Sequence, residues 1–387
     1  MAQRIGIFGA GQLGGYLCIA AKKLSFETSV LASNDQEMAV ALADHVQFES
    51  QDPVADAKVM AARCDFITFE KEDIAPEVLE ALREQEARGN VKVSPSIDTM
   101  LLLQNKALQK RWFSEKGLPT AEFFTIDAAD TTAEIRSRIG SPFVVKTERG
   151  GYDGLGVRVI KDTDDIENLG AIPSIAERYI DNRRELAVVV ARTAEGGVLA
   201  YPAVEMVFDP EGNLLRTILA PAQIAPELMR KAEALAIEAI DHLASVGVFA
   251  VELFYSDDEL LINEISPRVH NSGHHTLDAS PTSQFEQHLR AITGLPLGSI
   301  TPMRPAALIN LLCETPLHAV CCSDQASNEE ADNVFVHWYG KKSKRHLRKM
   351  GHLTATGSNA NDALEKAQAH YIKLTEQSTE SSGEKLS

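Results

Sequence analysis

The stretch that constrains this chain most is Val251–His275, VELFYSDDELLINEISPRVHNSGHH. Two apolar runs, Val248–Phe254 and Leu260–Ile265, flank the polar segment Ser256–Glu259, a pattern that predicts a β-hairpin. Glu252 and Glu264 lie symmetrically about Asp258, so antiparallel pairing sets them opposite each other on one face. Like charges placed there repel, which calls for a positive group between them. Two converging carboxylates suit Mg²⁺, a hard cation that keeps several waters and takes phosphate oxygens as its other ligands. The alternative is an exposed pair on a solvated face, and the apolar flanks speak against it. Beyond the hairpin, Arg268, His270, Asn271, His274 and His275 form a polar, glycine-poor run that reads as a substrate loop leaving the metal site.

A chain of 387 residues is long enough for two or three domains, each with its own core. The formal net charge of −17 argues against a nucleic-acid or anionic-membrane partner. It leaves room for a small phosphorylated substrate, which needs only a local cluster of cations. No apolar run reaches the ~18–20 residues of a membrane span, and Met1–Ile5 runs straight into a strand, so neither a span nor a leader is predicted. Cys18, Cys64, Cys313, Cys321 and Cys322 match no zinc or disulfide spacing. Their odd count fits reduced thiols and a cytoplasmic protein.

Taken in order, the chain alternates strand and helix. Arg4–Phe8 is an apolar strand, followed by Gly9-Ala-Gly11-Gln-Leu-Gly14 and a helix to about Leu24. This is GxGxxG in its usual context, favouring an anion at the helix N-terminus. A dinucleotide site also wants an acidic residue at the end of the second strand. Asp35 comes late for that role, so the NAD reading is weak. Helix Asp56–Arg63, strand Phe66–Phe69, helix Glu77–Gln85 and strand Val91–Val93 follow, with Glu70 just past a strand's C-terminal end. One helical region from Ser94-Pro95-Ser96 to Lys116 contains Lys106. A second unit holds helix Thr131–Ile139 and the strand Pro142–Lys146, and then the loop Gly150-Gly-Tyr-Asp-Gly154-Leu-Gly156. A strand ending in lysine before such a loop grips phosphate: the lysine supplies point charge and the glycines let backbone N–H groups approach. It is not a Walker A motif, for no Gly-Lys-Ser/Thr follows. Strand-like Ile175–Ile180, the buried strand Glu185–Ala191, strands near Leu199–Val207 and Leu214–Ala220, and an amphipathic helix from Pro226 to Val246 lead to the hairpin. A helix at about Thr282–Thr293 comes after it. The remainder is a small mixed segment with a basic run, Lys341–Lys349, whose natural partner is an anion, and a Ser/Glu/Lys-rich tail from about Glu376 predicted to be disordered.

Together these features resemble the ATP-grasp superfamily and, within it, the 5-(carboxyamino)imidazole ribonucleotide synthetases. The similarity covers about residues 4–372 and rests on GAGQLG at 9–14, GGYDGLG at 150–156, NEISPRVHNSGHHT followed by TSQFEQHLRAITGLPLG, and WYGKKSKRHLRKMGH at 338–352. It implies a mixed α/β and α+β protein with an N-terminal Rossmann-like (preATP-grasp) domain at 1–95. An ATP-grasp domain at 96–300, with a lid at about 120–182, would be followed by a C-terminal lobe at 301–373 and a tail at 374–387. By the family pattern ATP would lie between two antiparallel sheets. Lys106 and Lys146 would contact its phosphates, Gly151, Gly154 and Gly156 would cover them, and Asn263 would lie beside them. Glu177, Arg178, Tyr179 and Ile180 would form the adenine hinge, and Glu185 would hold the ribose. Glu252 and Glu264 would carry Mg²⁺. Aminoimidazole ribonucleotide would meet Gln12, Glu70, Tyr152, Asp153, Arg268, His270, Asn271, Lys341 and Arg348, the last two holding its 5′-phosphate. The catalytic set would be Asp153, Tyr152, Arg268 and Lys341. The family is typically homodimeric.

The implied reaction activates bicarbonate with ATP as carboxyphosphate and transfers CO₂ to the exocyclic amine, in purine biosynthesis. Asp153 is the candidate to take the amine's proton, with released phosphate as the alternative. The chain departs from the family pattern at Leu155, where a basic residue is usual, at Phe208, where a histidine is, and at Lys71, where an aromatic is. Arg149 and Arg158 are the candidates to replace the missing loop cation. Other readings are an ATP-grasp ligase acting on a different acceptor, such as a formate-dependent transformylase or a biotin carboxylase-like protein, or a nucleotide-binding protein with an inactive grasp site. The HNSGHHT loop and the Lys341–Arg348 cluster speak against the first. Retention of Lys106, Lys146, Glu252 and Glu264 speaks against the second.

Overall fold

The structure is a computed structural model and describes residues 3–151, 156–163, 169–209, 214–313, 333–341 and 346–383. The N-terminal unit comprises β1 (Arg4–Phe8), α1 (Gln12–Lys23), β2 (Glu27–Ala32), β3 (His45–Phe48), α2 (Pro53–Arg63), β4 (Phe66–Phe69), α3 (Pro76–Ala87) and β5 (Lys92–Val93). Its five strands pair in parallel in the order β3-β2-β1-β4-β5, an open sheet with its crossover at β1. Strand β3 is not apparent in the sequence, because this short edge strand exposes both faces and carries no apolar run. Two helices follow, α4 (Ile97–Leu103) and α5 (Lys106–Glu115), where the sequence suggests one. The break lies at Gln104-Asn105, because the Asn105 side chain accepts a hydrogen bond from Leu108 N–H and caps a new helix at Lys106.

The next unit, expected above as the lid, contains β6 (Phe123–Ile126), α6 (Thr132–Ile139), β7 (Phe143–Thr147), β8 (Val157–Ile160) and β9 (Ser174–Arg178). Its strands form a four-stranded antiparallel sheet, β6-β9-β7-β8. The body begins with β10 (Arg184–Arg192), β11 (Val198–Ala200), β12 (Val204–Phe208) and β13 (Leu215–Ala220). The single strand expected at Leu199–Val207 is therefore two, parted at Tyr201-Pro202-Ala203, where proline withholds a ladder donor. Helix α7 (Pro226–Leu243) ends at Ala244, which adopts a left-handed conformation. The hairpin β14 (Gly247–Ser256) and β15 (Glu259–Ser266) leads to α8 (Thr276–Ala279) and α9 (Gln284–Thr293).

The C-terminal strands β16 (Ala306–Leu312), β17 (Val334–Trp338) and β18 (Lys349–Thr356) do not form a sheet of their own. They extend the body into one nine-stranded sheet, β15-β14-β10-β12-β13-β16-β18-β17, with β11 on β10. Helix α10 (Ala360–Gly383) packs Ala363, Ala367 and Leu374 against β16 and β18. Its backbone stays helical to Gly383, past the point where composition predicts disorder, since extending a packed helix costs far less than starting one.

The N-terminal unit is welded to the body. Ile5, Leu17 and Tyr16 share a core with Val248, Phe285, Leu289 and Tyr339. At that seam His288, 1 % exposed, accepts Val248 N–H at Nδ1 (3.0 Å), which leaves its Nε2–H to donate to Thr68 Oγ1 (2.7 Å).

Candidate active site

The hairpin turns through Asp257 and Asp258, both at positive φ (48° and 64°), a two-residue turn matched to strand twist. This pairs Ser256 with Glu259 and Leu253 with Ile262, a register that would carry Glu252 onto Asn263. A bulge at Asn263 moves the register by one and restores Glu252 opposite Glu264, as expected, but through a device the sequence does not announce. The bulge also brings Asn263 to the same site: its Nδ2 lies 3.4 Å from Glu252 Oε2 and its Oδ1 accepts from Lys146 Nζ at 2.8 Å. As β15 is an edge strand, its outer groups need other partners. Gln109 supplies them, accepting Ile265 N–H (2.9 Å) and donating to Ile265 O (3.4 Å), while Pro119 O accepts Ile262 N–H.

Each of the two carboxylates has a basic side chain beside it. Lys106 Nζ lies 3.4 Å from Glu264 Oε2, and His270 Nε2 lies 3.5 Å from Glu252 Oε1. Lys106 holds Glu264 ionised, well below the usual carboxyl range, whereas burial and the facing Glu264 push the Glu252 carboxyl well above it. The two carboxyls therefore differ in their readiness to ionise, and a divalent cation between them would favour the ionised form of both. Hard oxygen donors of this kind suit Mg²⁺, and Glu252 and Glu264 are the residues that would hold it.

Behind the pair sits an ion network. Lys146, on β7, meets Glu177 Oε2 at 2.8 Å, and Lys110, on α5, lies 3.3 Å from Glu177 Oε1. The Glu177 carboxylate is therefore shared by two lysines. Arg178 is bound to Glu259 (2.9 Å), Tyr179 lies under Arg183, and Ile180 is buried. Glu185 accepts from Arg183 Nε (2.8 Å), and burial raises its carboxyl. Gly150 and Gly156 have φ of 75° and 76°; a Cβ on Gly156 would lie 2.4 Å from Thr147 Oγ1, so the loop has to be glycine there. Gly151 flanks it, while Tyr152, Asp153, Gly154 and Leu155 lie outside the described residues. So do Cys321 and Cys322. Phe208 closes β12 half-buried, and Lys71 pairs with Glu49 at 3.2 Å.

The glycine-rich turn before α1 does hold an anion, but the anion belongs to the protein. Gly11 N–H donates to Glu70 Oε2 at 2.6 Å, and Cβ atoms on Gly9, Gly11 and Gly14 would come within 2.4–2.9 Å of the Glu70 carboxylate. Burial raises the Glu70 carboxyl, and the Gly11 and Gly14 amides oppose that. With those amides taken, the loop cannot cradle a pyrophosphate as a dinucleotide site does. Gln12 opens α1 beside it, half-buried.

Arg268 reaches Glu72 Oε1 at 2.7 Å. Asn271 is buried, with no partner for its Oδ1 among the described residues. His274 and His275 correct the sequence reading: both are buried, and desolvation keeps both neutral, His275 down to about 4. His275 Nδ1 meets Ser272 O, so this half of the loop is structural. Gln284 clamps the other half, accepting His270 N–H at 2.9 Å and donating to His270 O at 2.6 Å. Lys341 donates to Lys349 O (3.0 Å) and lies 5.1 Å over Tyr339, whose ring contacts Tyr16 on the helix that Gln12 begins; Arg348 is half-buried on the same segment.

Sequence reading missed Lys110, Gln109, Gln284 and Glu72. Lys110 had a signal, lying one helical turn after Lys106 on the same face. It also missed Asp278, His337 and His352, each of which brings one ligand-capable atom within 4.8 Å of the others. The His337 and His352 rings stack at 4.5 Å and 18°, however, and lone pairs in two stacked planes cannot converge on one ion. Asp278 instead pairs with His337 (3.0 Å).

Three family models match in succession: a ribonucleotide synthetase preATP-grasp domain over residues 1–104, an ATP-grasp domain over 111–285, and a phosphoribosylaminoimidazole carboxylase C-terminal domain over 306–366. The chain is 36% identical to an N5-carboxyaminoimidazole ribonucleotide synthase of Synechococcus elongatus, covering 97% of this chain and 94% of that protein. It is 33% identical to the enzyme of the same name from Bacillus subtilis, over 90% of each. Among solved structures, an N5-carboxyaminoimidazole ribonucleotide synthetase with ADP superposes with a TM-score of 0.88 at 33% identity, covering 96% and 97% of the two chains. A synthase from Aspergillus clavatus in complex with ADP and 5-aminoimidazole ribonucleotide superposes at 0.84 and 30%, covering 97% and 99%.

Proposed function

The chain belongs to the N5-carboxyaminoimidazole ribonucleotide synthase family, and from that premise we propose how its own residues carry the ATP-dependent carboxylation of 5-aminoimidazole ribonucleotide in purine biosynthesis. ATP lies between the four-stranded lid and the nine-stranded sheet. Lys106 and Lys146 neutralise its phosphates, and the glycine loop at 150–156 closes over them to keep water out. Glu252 and Glu264 would hold Mg²⁺, which when bound offsets charge on the transferring phosphoryl group. The observation that carries this reading is the bulged hairpin: it sets the Glu252 and Glu264 carboxylates face to face, with Lys106 beside Glu264 and His270 beside Glu252.

Bicarbonate attacks the γ-phosphate, giving ADP and carboxyphosphate. Carboxyphosphate breaks into CO₂ and phosphate, and the exocyclic amine of the ribonucleotide adds to CO₂, passing its proton to Asp153. Arg268 and His270 face the transferred carboxyl, with Tyr152 a further catalytic residue, and Lys341 and Arg348 hold the 5′-phosphate. Gln12, Glu70 and Asn271 orient the sugar and base. Glu177 through Ile180 offer backbone groups to the adenine, with Glu185 at the ribose. The protein acts as a homodimer in the cytoplasm.

Bicarbonate labelled with ¹⁸O tests the sequence of steps. One label per turnover should appear in the released phosphate, because the P–O bond formed to bicarbonate stays with phosphorus when carboxyphosphate breaks. Unlabelled phosphate alongside normal product would rule out activation by phosphoryl transfer.

A further inference from the structure

The reaction as described gives Lys110 no task, yet its side chain is only 3 % exposed, in the ion network behind the paired carboxylates. Burial pulls such a group toward neutrality and Glu177 opposes that, leaving it at about 8. Its bonds close a ring. Lys110 Nζ donates to Thr120 Oγ1 (2.7 Å), and Thr120 Oγ1 donates to Ile262 O (2.7 Å). On its other side Lys110 shares Glu177 with Lys146, which donates to Asn263 Oδ1 (2.8 Å). The ring thus leaves β15 at Ile262 and returns to it at Asn263, having crossed α5, β9 and β7.

A lysine that must meet phosphate cannot remain committed to a carboxylate. Were Glu177 held by Lys146 alone, each turn of Lys146 toward the nucleotide would strand a buried anion, which is a costly state. A second cation already in place removes that obstacle. We propose that Lys110 is a positioning residue: it holds the Glu177 carboxylate so that Lys146 is free to leave it for the nucleotide phosphates. The proposal rests on the reading that Lys146 contacts ATP.

Two variants test it by steady-state kinetics in ATP, with bicarbonate and ribonucleotide saturating, and by thermal unfolding. Lys110→Met should raise the KM for ATP about tenfold or more with a smaller change in kcat, since Glu177 then retains Lys146. Adding Glu177→Gln should return the KM to within about threefold of wild type, because no buried anion is left to compete. A purely structural lysine would lower the melting temperature of both variants and leave the KM of Lys110→Met unmoved, which would overturn the proposal. A double variant no better than the single one would also overturn it. Lys146→Met separates the two readings. Unchanged ATP binding in that variant removes the phosphate role on which the proposal stands. Lost ATP binding there, with an unmoved KM in Lys110→Met, overturns the proposal alone.

Discussion

Acid should loosen this protein through His288, at the seam between the N-terminal sheet and the body. The imidazole is buried and accepts Val248 N–H, so a second proton has neither water nor an acceptor to meet. Desolvation lowers its pKa from 6.5 to about 4. In the unfolded chain the same ring takes its proton near 6.5, so between these limits the unfolded state binds more protons and stability falls as pH falls. The window spans about 2.5 pH units, and at about 1.4 kcal/mol per unit the loss from this residue approaches 3 kcal/mol by pH 4. Other buried histidines and the carboxylates titrate in the same range, so the informative quantity is a difference between two proteins. His288→Gln keeps a donor and an acceptor without a titrating ring. Denaturant unfolding of both proteins at pH 7, 6, 5.5, 5 and 4.5 gives that difference. The wild-type slope against pH should exceed the variant's by about 1 kcal/mol per unit between pH 6 and 4.5, shrinking to about 0.3 kcal/mol per unit at pH 7. Parallel slopes throughout would refute the reasoning.

Three further outcomes follow from the same geometry. Glu264→Gln should cut Mg²⁺-dependent turnover by at least about a hundredfold with the far-ultraviolet dichroism and melting temperature preserved; near-normal turnover would remove the metal assignment. Gln109→Leu leaves both Ile265 backbone groups without their side-chain partner and should cost about 1–3 kcal/mol per unsatisfied group, read as a lower unfolding midpoint. Gly273→Ala sets a Cβ 2.4 Å from Gln284 Oε1 and should destabilise by about 1–3 kcal/mol, raising the ribonucleotide KM as the His270 clamp shifts; an unchanged KM would detach that clamp from the substrate.

Much of this was legible because it is local. The strand–turn–helix at 4–23, the lysine-ended strand before the glycine loop and the hairpin all follow from short apolar runs and their punctuation. The Glu252–Glu264 pairing came out right through a cancellation: the turn centre lies half a residue before Asp258, and the Asn263 bulge compensates. What stayed hidden is long-range. Glu70 filling the glycine turn, Gln109 completing an edge strand, and β16–β18 extending the body's sheet each join residues dozens of positions apart. The histidines of the HNSGHH run show the limit of residue type as a signal. His270 faces Glu252, whereas His274 and His275, four and five residues on, are buried neutral in the wall.

The most direct test of the account is ADP release by the purified protein with ATP, Mg²⁺ and bicarbonate, with and without 5-aminoimidazole ribonucleotide. Strong stimulation by the ribonucleotide, lost in Glu264→Gln and in Lys146→Met, is the expected result. ATP binding without any stimulation would mean that the paired carboxylates and their lysines serve a different acceptor, and would contradict the central claim.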